Sequence, residues 1–148
     1  MDINKRVEIL KDLAERVKKE KLHFFRDWKG TPLKEKPGFG KKGCYLIYED
    51  YKEEDWDRPI YVGSNRKPAR TIGERLDALF SGNGHVLAVD KIMKPKKMDK
   101  AAWREYCDNH LSFKIVEFKK EQDPPPLIME VALIFLFESR YNSQCMRD

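Results

Sequence analysis

The chain has 148 residues and a net charge of +5 at neutral pH, the size of one domain with room for a core of its own. Its longest apolar run, Leu127 to Phe137, is interrupted by Glu130 and falls well short of the roughly 18 to 20 residues that cross a bilayer; the charged N-terminus does not read as a secretory leader. Three cysteines, Cys44, Cys107 and Cys145, lie far apart with neither zinc spacing nor a disulfide framework, so a cytoplasmic, reducing location is expected and a catalytic cysteine served by His85 or His110 is disfavoured.

The charge is unevenly placed. Residues 1–42 carry 13 Lys and Arg against 7 Asp and Glu, whereas residues 43–148 carry 17 against 18. A basic arm beside a nearly neutral domain suggests a polyanionic partner, with nucleic acid first; a lysine-rich solvated helix is the plainer explanation. Asp2 to Lys21 reads as a helix, because Ile3, Val7, Leu10, Leu13, Ala14 and Val17 recur every three or four residues and make one apolar face. Asp2 is the expected cap, with Asn4 as the alternative. Leu22, Phe24, Phe25 and Trp28 form an aromatic-rich cluster expected to dock this helix, and the Pro/Gly/Lys stretch Gly30 to Lys42 reads as a linker. The chain therefore divides into an arm, 1–42, too short to fold alone, and a domain, 43–148.

The domain opens with a hairpin. Gly43-Cys44-Tyr45 begins one strand pattern and Ile60-Tyr61-Val62-Gly63 forms the next, with an acidic loop, Tyr51 to Pro59, between them. Runs of Tyr, Ile, Leu and Val bounded by Gly and Pro read as paired strands. Two tyrosines on adjacent strands can aim their hydroxyls at one spot, although β-propensity alone accounts for aromatic residues there. After Gly63 come Arg66, Lys67, Arg70 and Arg75. Thr71, with Glu74 three residues on, forms a capping box for a helix that turns Ile72, Leu76, Leu79 and Phe80 inward. Arg75 falls at the edge of that face, where its guanidinium can reach back towards the tyrosines and grip a phosphate through two hydrogen bonds.

Ser81 to Gly84 ends that helix and His85 opens a second helical run, Val86 to Met93. Five lysines follow closely (Lys91, Lys94, Lys96, Lys97 and Lys100), and Lys94, Lys96 and Lys97 join Lys41, Lys42, Arg66, Lys67 and Arg70 as candidate phosphate contacts. Lys100 to Asp108 is expected to be helical, Leu111 to Lys119 alternates as a third strand, and Asp123-Pro-Pro-Pro126 stops the chain before a last helix, Leu127 to Ser139. That helix is apolar on most sides and is expected to be buried. A carboxylate within it costs several kcal/mol unless paired or bound to metal, so Glu130 is the most informative single residue. An ion pair with an arginine such as Arg75 is the structural alternative.

Taken in order, these motifs resemble those of the GIY-YIG nuclease family. Gly43-Cys44-Tyr45 resembles its first motif, with Cys in place of Ile; Tyr61-Val62-Gly63 resembles its second; Arg75, Glu130 and Asn142 match its helix arginine, metal-binding glutamate and asparagine. The similarity covers about residues 43–144 and leaves out the arm. It implies a small α+β domain, a three-stranded antiparallel sheet flanked by helices, here with an added N-terminal helix. It further implies phosphodiester hydrolysis in double-stranded or branched DNA with one Mg2+ or Mn2+ held by Glu130, Tyr61 or its partner Tyr45 helping to deprotonate water, Arg75 stabilising the transition state, and Asn142 fixing local geometry. Where many members carry His or Tyr one turn after the helix arginine, this chain has Leu79, and His85 from the next loop is the candidate substitute.

Two other readings remain at this level. Asp108, Glu117 and Lys119 resemble the acid, Glu-x-Lys arrangement of a different metal-dependent nuclease class, although amphipathic strands produce such triplets often. A non-catalytic nucleic-acid-binding or inhibitor protein on a nuclease scaffold is the other, motivated by Leu79 and the basic arm.

Overall fold

Apart from one short strand, the helices and strands form close to where the periodicities place them. In a computed structural model, which describes residues 2–65, 70–119 and 123–142, the first helix, α1, spans Ile3–Lys19 and is capped by Asp2, whose carboxylate accepts from Lys5 N at 2.8 Å. Short strand β1 (His23–Phe24) follows, then β2 (Gly43–Glu49), β3 (Tyr61–Ser64), α2 (Ile72–Ser81), a π-helical segment Leu87–Met93 running into the single turn α3 (Lys94–Lys96), α4 (Lys100–His110), β4 (Leu111–Glu117) and α5 (Pro126–Phe137). The fold is α+β, with an antiparallel sheet in the order β1-β4-β2-β3.

Four strands replace the three implied by the resemblance. The additional one is β1, in which His23 pairs with Phe113 and Phe24 with Ser112. Its cause lies immediately after it. Phe25 and Trp28 are buried against Phe113, with ring centroids 4.7 and 5.9 Å away, and anchoring them lays the two preceding residues along the edge of β4.

The central strand β2 explains the layering, because successive side chains of a strand point to opposite faces. Tyr45 and Ile47 join a cluster with α2, the π-helical segment and α4; Cys44, Leu46 and Tyr48 join a second cluster with α1 and α5. The arm contributes to both, through Phe25 and Trp28 on one face and Leu13 and Val17 on the other. Lys114, buried in β4, donates to Val17 O at 3.0 Å and Lys18 O at 3.4 Å, so its cation adds a donor to the carbonyls at the end of α1, where Val17 O also accepts from Glu20 N at 3.3 Å.

Two expectations about helix faces are corrected. Ile3 and Val7 are exposed, so only the later turns of α1 use its apolar stripe. In α5, Met129, Glu130, Leu133 and Ile134 are buried, whereas Leu127, Ile128, Val131 and Phe135 are exposed. The helix rests one side on the sheet and α1, and among the described residues nothing covers the other. No helix among the described residues is long and apolar enough to cross a membrane.

Candidate active site

The register of β2 and β3 brings the two tyrosines together. Tyr45 pairs with Gly63 and Ile47 with Tyr61, so Tyr45 and Tyr61 are diagonal neighbours on one face, their ring centroids 6.3 Å apart. Gly63 makes this possible: a Cβ there would collide with the Tyr45 ring at Cζ and Oη. Gly43, at φ +143°, is held just as closely at the start of β2, where a Cβ would meet the Val116 carbonyl.

The remaining groups arrive from three other segments. Thr71 caps α2 by accepting from Glu74 N at 3.3 Å, and burial of Ile72, Leu76, Leu79 and Phe80 orients the helix so that Arg75 meets the tyrosines. Glu130 comes from α5 and is 1% exposed. Asn142 completes the open edge of β3 as a further strand would. Its Oδ1 accepts from Val62 N at 2.6 Å and from Ser139 Oγ at 2.6 Å, and its Nδ2 donates to Val62 O at 3.0 Å. Tyr45, Tyr61, Arg75, Glu130 and Asn142 all line one pocket of about 420 Å³.

Arg70 lines the same pocket, as do Lys91, the first of the lysine cluster expected to touch phosphate, and Ser64, which no sequence signal marks. Ser64 Oγ is buried and has no hydrogen-bond partner among the described residues. Lys91 lies one turn before the other lysines of that cluster, and the π-helical turn puts it at the site while Lys94, Lys96 and Lys97 stay exposed. Lys94 pairs with Asp90 at 3.4 Å and Lys96 sits over the Tyr106 ring. Lys41 pairs with Glu117 at 3.2 Å, and Lys42 Nζ donates to Arg70 O at 2.6 Å, bracing the entry to α2. None of these five lysines lines the pocket. Arg66 and Lys67 lie outside the described residues.

His85 stands behind Tyr45. It is fully buried, its Nε2 is 2.8 Å from Tyr45 Oη, and its Nδ1 accepts from Leu87 N at 3.2 Å. Burial, aided by the Arg75 charge, brings its pKa down to about 3. Burial also raises the Tyr45 pKa far above its ordinary value of 10, with Tyr61 and Glu130 adding to the rise and the charge of Arg75 opposing it. Leu79, in the position one turn beyond Arg75, is core, and its carbonyl accepts from Trp103 Nε1 at 2.7 Å.

Arg70, Arg75 and Lys91 face one carboxylate, Glu130, among the described lining residues. Such a concave, cation-rich site favours an anion. The donor set also distinguishes between metals. Among the described residues no three His, Cys, Asp or Glu side chains gather to hold an ion, which does not suit a cage built wholly of protein ligands such as structural zinc. One oxygen donor suits Mg2+ or Mn2+, which keep waters and bind through one or two carboxylates plus substrate phosphate oxygens.

The alternative sites gather less. Glu117 is engaged by Lys41 at the far end of β4, and neither it nor Asp108 lines the pocket. Cys44 and Cys107 are buried with thiol pKa values pushed up chiefly by that burial, opposite to the electropositive, accessible setting of a reactive thiol. Cys145 lies outside the described residues. No protein-family model matches the chain, and no curated protein is significantly similar to it.

Proposed function

We propose that this chain is a GIY-YIG-type endonuclease that hydrolyses phosphodiester bonds of double-stranded or branched DNA with a divalent metal. The observation that carries the reading is the convergence of Tyr45, Tyr61, Arg75, Glu130 and Asn142, from five separate segments, on one pocket rich in cationic side chains. Glu130 would hold Mg2+ or Mn2+, which supplies positive charge at the phosphate and the leaving oxygen. The chain's own groups do the rest. Arg75, a fixed planar donor, grips and neutralises phosphoryl oxygens as charge develops. Tyr61, half-buried at the pocket wall, takes the proton of an attacking water while passing its own to solvent. The water oxygen bonds to phosphorus as the bond to the leaving sugar oxygen breaks, and that oxygen departs with the electron pair and is protonated by water. Asn142 holds β3, and so Tyr61, in register.

The test is supercoiled plasmid cleavage with Mg2+ or Mn2+, native chain against Glu130→Ala. Cleavage by the native chain that is lost in the variant supports the reading; cleavage that survives in the variant overturns the role of Glu130. One observation favours a second reading, a non-catalytic DNA-binding protein on the same scaffold: Leu79 is spent on core packing where a polar residue would assist proton transfer. That reading expects salt-sensitive DNA binding without cleavage by either chain.

A further inference from the structure

The two tyrosines are equivalent in the sequence, and the hydrogen bonds around Tyr45 decide which way its proton goes. A backbone amide can only donate, so the Leu87 N–H that reaches His85 Nδ1 at 3.2 Å requires a bare lone pair on that nitrogen. A neutral imidazole carries one N–H, and with Nδ1 used as an acceptor the proton sits on Nε2. The 2.8 Å contact between Nε2 and Tyr45 Oη is then a bond from histidine to tyrosine. Arg75, whose charge acts on the same side chain, has donors and no acceptor. The phenol oxygen thus accepts from His85, and its single proton can be taken by neither His85 nor Arg75. Tyr45 lines the pocket beside Tyr61 and Glu130, where an acceptor for that proton can enter.

We propose that the His85 N–H, with Arg75 offering no acceptor beside it, makes the Tyr45 hydroxyl a hydrogen-bond donor to an anionic oxygen in the pocket, which leaves proton acceptance to Tyr61. The oxygen is a phosphoryl oxygen if the nuclease reading above, on which this inference rests for the ligand, holds. His85 is accordingly a positioning residue and not the proton acceptor that its place in the sequence suggests. It touches Tyr45 from the protein side, and with Nδ1 occupied by a backbone amide it has no lone pair to offer a water.

The orientation is read first on the ligand-free native chain, by the nitrogen chemical shifts of its three histidines, with His85 assigned by its disappearance in His85→Gln. The expected result is an Nε2-protonated, Nδ1-bare imidazole at neutral pH. An Nδ1-protonated ring, or an imidazolium, overturns the proposal. This readout does not depend on cleavage, so failure of the nuclease reading and failure of this one are seen separately. In cleavage kinetics, Tyr45→Phe should lower kcat/KM by about 100-fold, the scale for deleting one transition-state donor, and leave the shape of the pH–rate profile unchanged. His85→Gln, which keeps an N–H donor, should retain more activity than His85→Leu. Loss in Tyr45→Phe of the limb on which activity rises with pH would make Tyr45 the proton acceptor and overturn the assignment.

Discussion

The Tyr45 ring lies across Gly63 of the neighbouring strand so closely that no side chain fits between them. Glycine is required there for space, since this is a close approach of ring to backbone. Gly63→Ala must therefore displace the Tyr45 ring or spread β2 from β3. Overpacking of this kind typically costs about 1–3 kcal/mol, which a domain of this size can bear. The expected outcome is a folded variant with a lowered Tm and a much larger loss of cleavage than of stability. Denaturant unfolding beside plasmid cleavage checks it, and unchanged cleavage would show that the ring position is immaterial.

Glu130 separates chemistry from binding. It is buried in α5 yet lines the pocket. Glu130→Gln keeps the shape and removes the charge that would hold a hard cation. Cleavage should fall by at least about 100-fold, the upper end of the loss seen when even outer partners of a metal site are removed, while a gel shift with duplex DNA persists. Chelation of divalent ions should reproduce the loss in the native chain. A Gln variant that cleaves at the native rate would refute the assignment.

What could be read from the sequence follows from which forces are local. The hairpin tyrosines announce themselves through a period of two and flanking glycines, and Glu130 through being an acid in an apolar run. The missing features depend on tertiary contacts. β1 exists because Phe25 and Trp28 anchor against Phe113, and two residues carry no periodicity. An all-apolar helix cannot reveal which side is covered, so the exposed row Leu127, Ile128, Val131 and Phe135 had no signature. His85 was legible as a site residue, but the direction of its bond to Tyr45 depends on the Leu87 amide.

Lys91 offers a test of the pocket against the rest of the basic surface. It lines the site, whereas Lys96 is exposed over Tyr106 and does not. A lysine that contacts phosphate releases a counterion on binding, so its loss lowers the salt slope of log affinity by about 1. Lys91→Ala should do this and raise KM; Lys96→Ala should leave both close to native. Fluorescence anisotropy over a salt series measures the slope. Equal effects of the two substitutions would place the DNA on the outer lysine face instead.

The buried histidine makes stability depend on acidity in a defined direction. Unfolded, a histidine takes up its proton near pH 6.5; folded, His85 does so only at about 3. Between those values the unfolded state binds more protons, so the folded state loses stability as pH falls from about 6.5 towards 3, at up to about 1.4 kcal/mol per pH unit. Above 6.5 this contribution is constant. His23, also shifted downward, mainly by burial, acts in the same direction, so the useful quantity is the difference between native and variant. His85→Gln removes the titration and keeps a donor for Tyr45. Urea unfolding at about pH 7 and about pH 5 should show the native chain losing roughly 2 kcal/mol more than the variant on this account. Parallel losses would mean that His85 is protonated in the fold at mild acidity. That would require Nδ1 to give up the Leu87 amide and would remove the asymmetry that makes Tyr45 a donor.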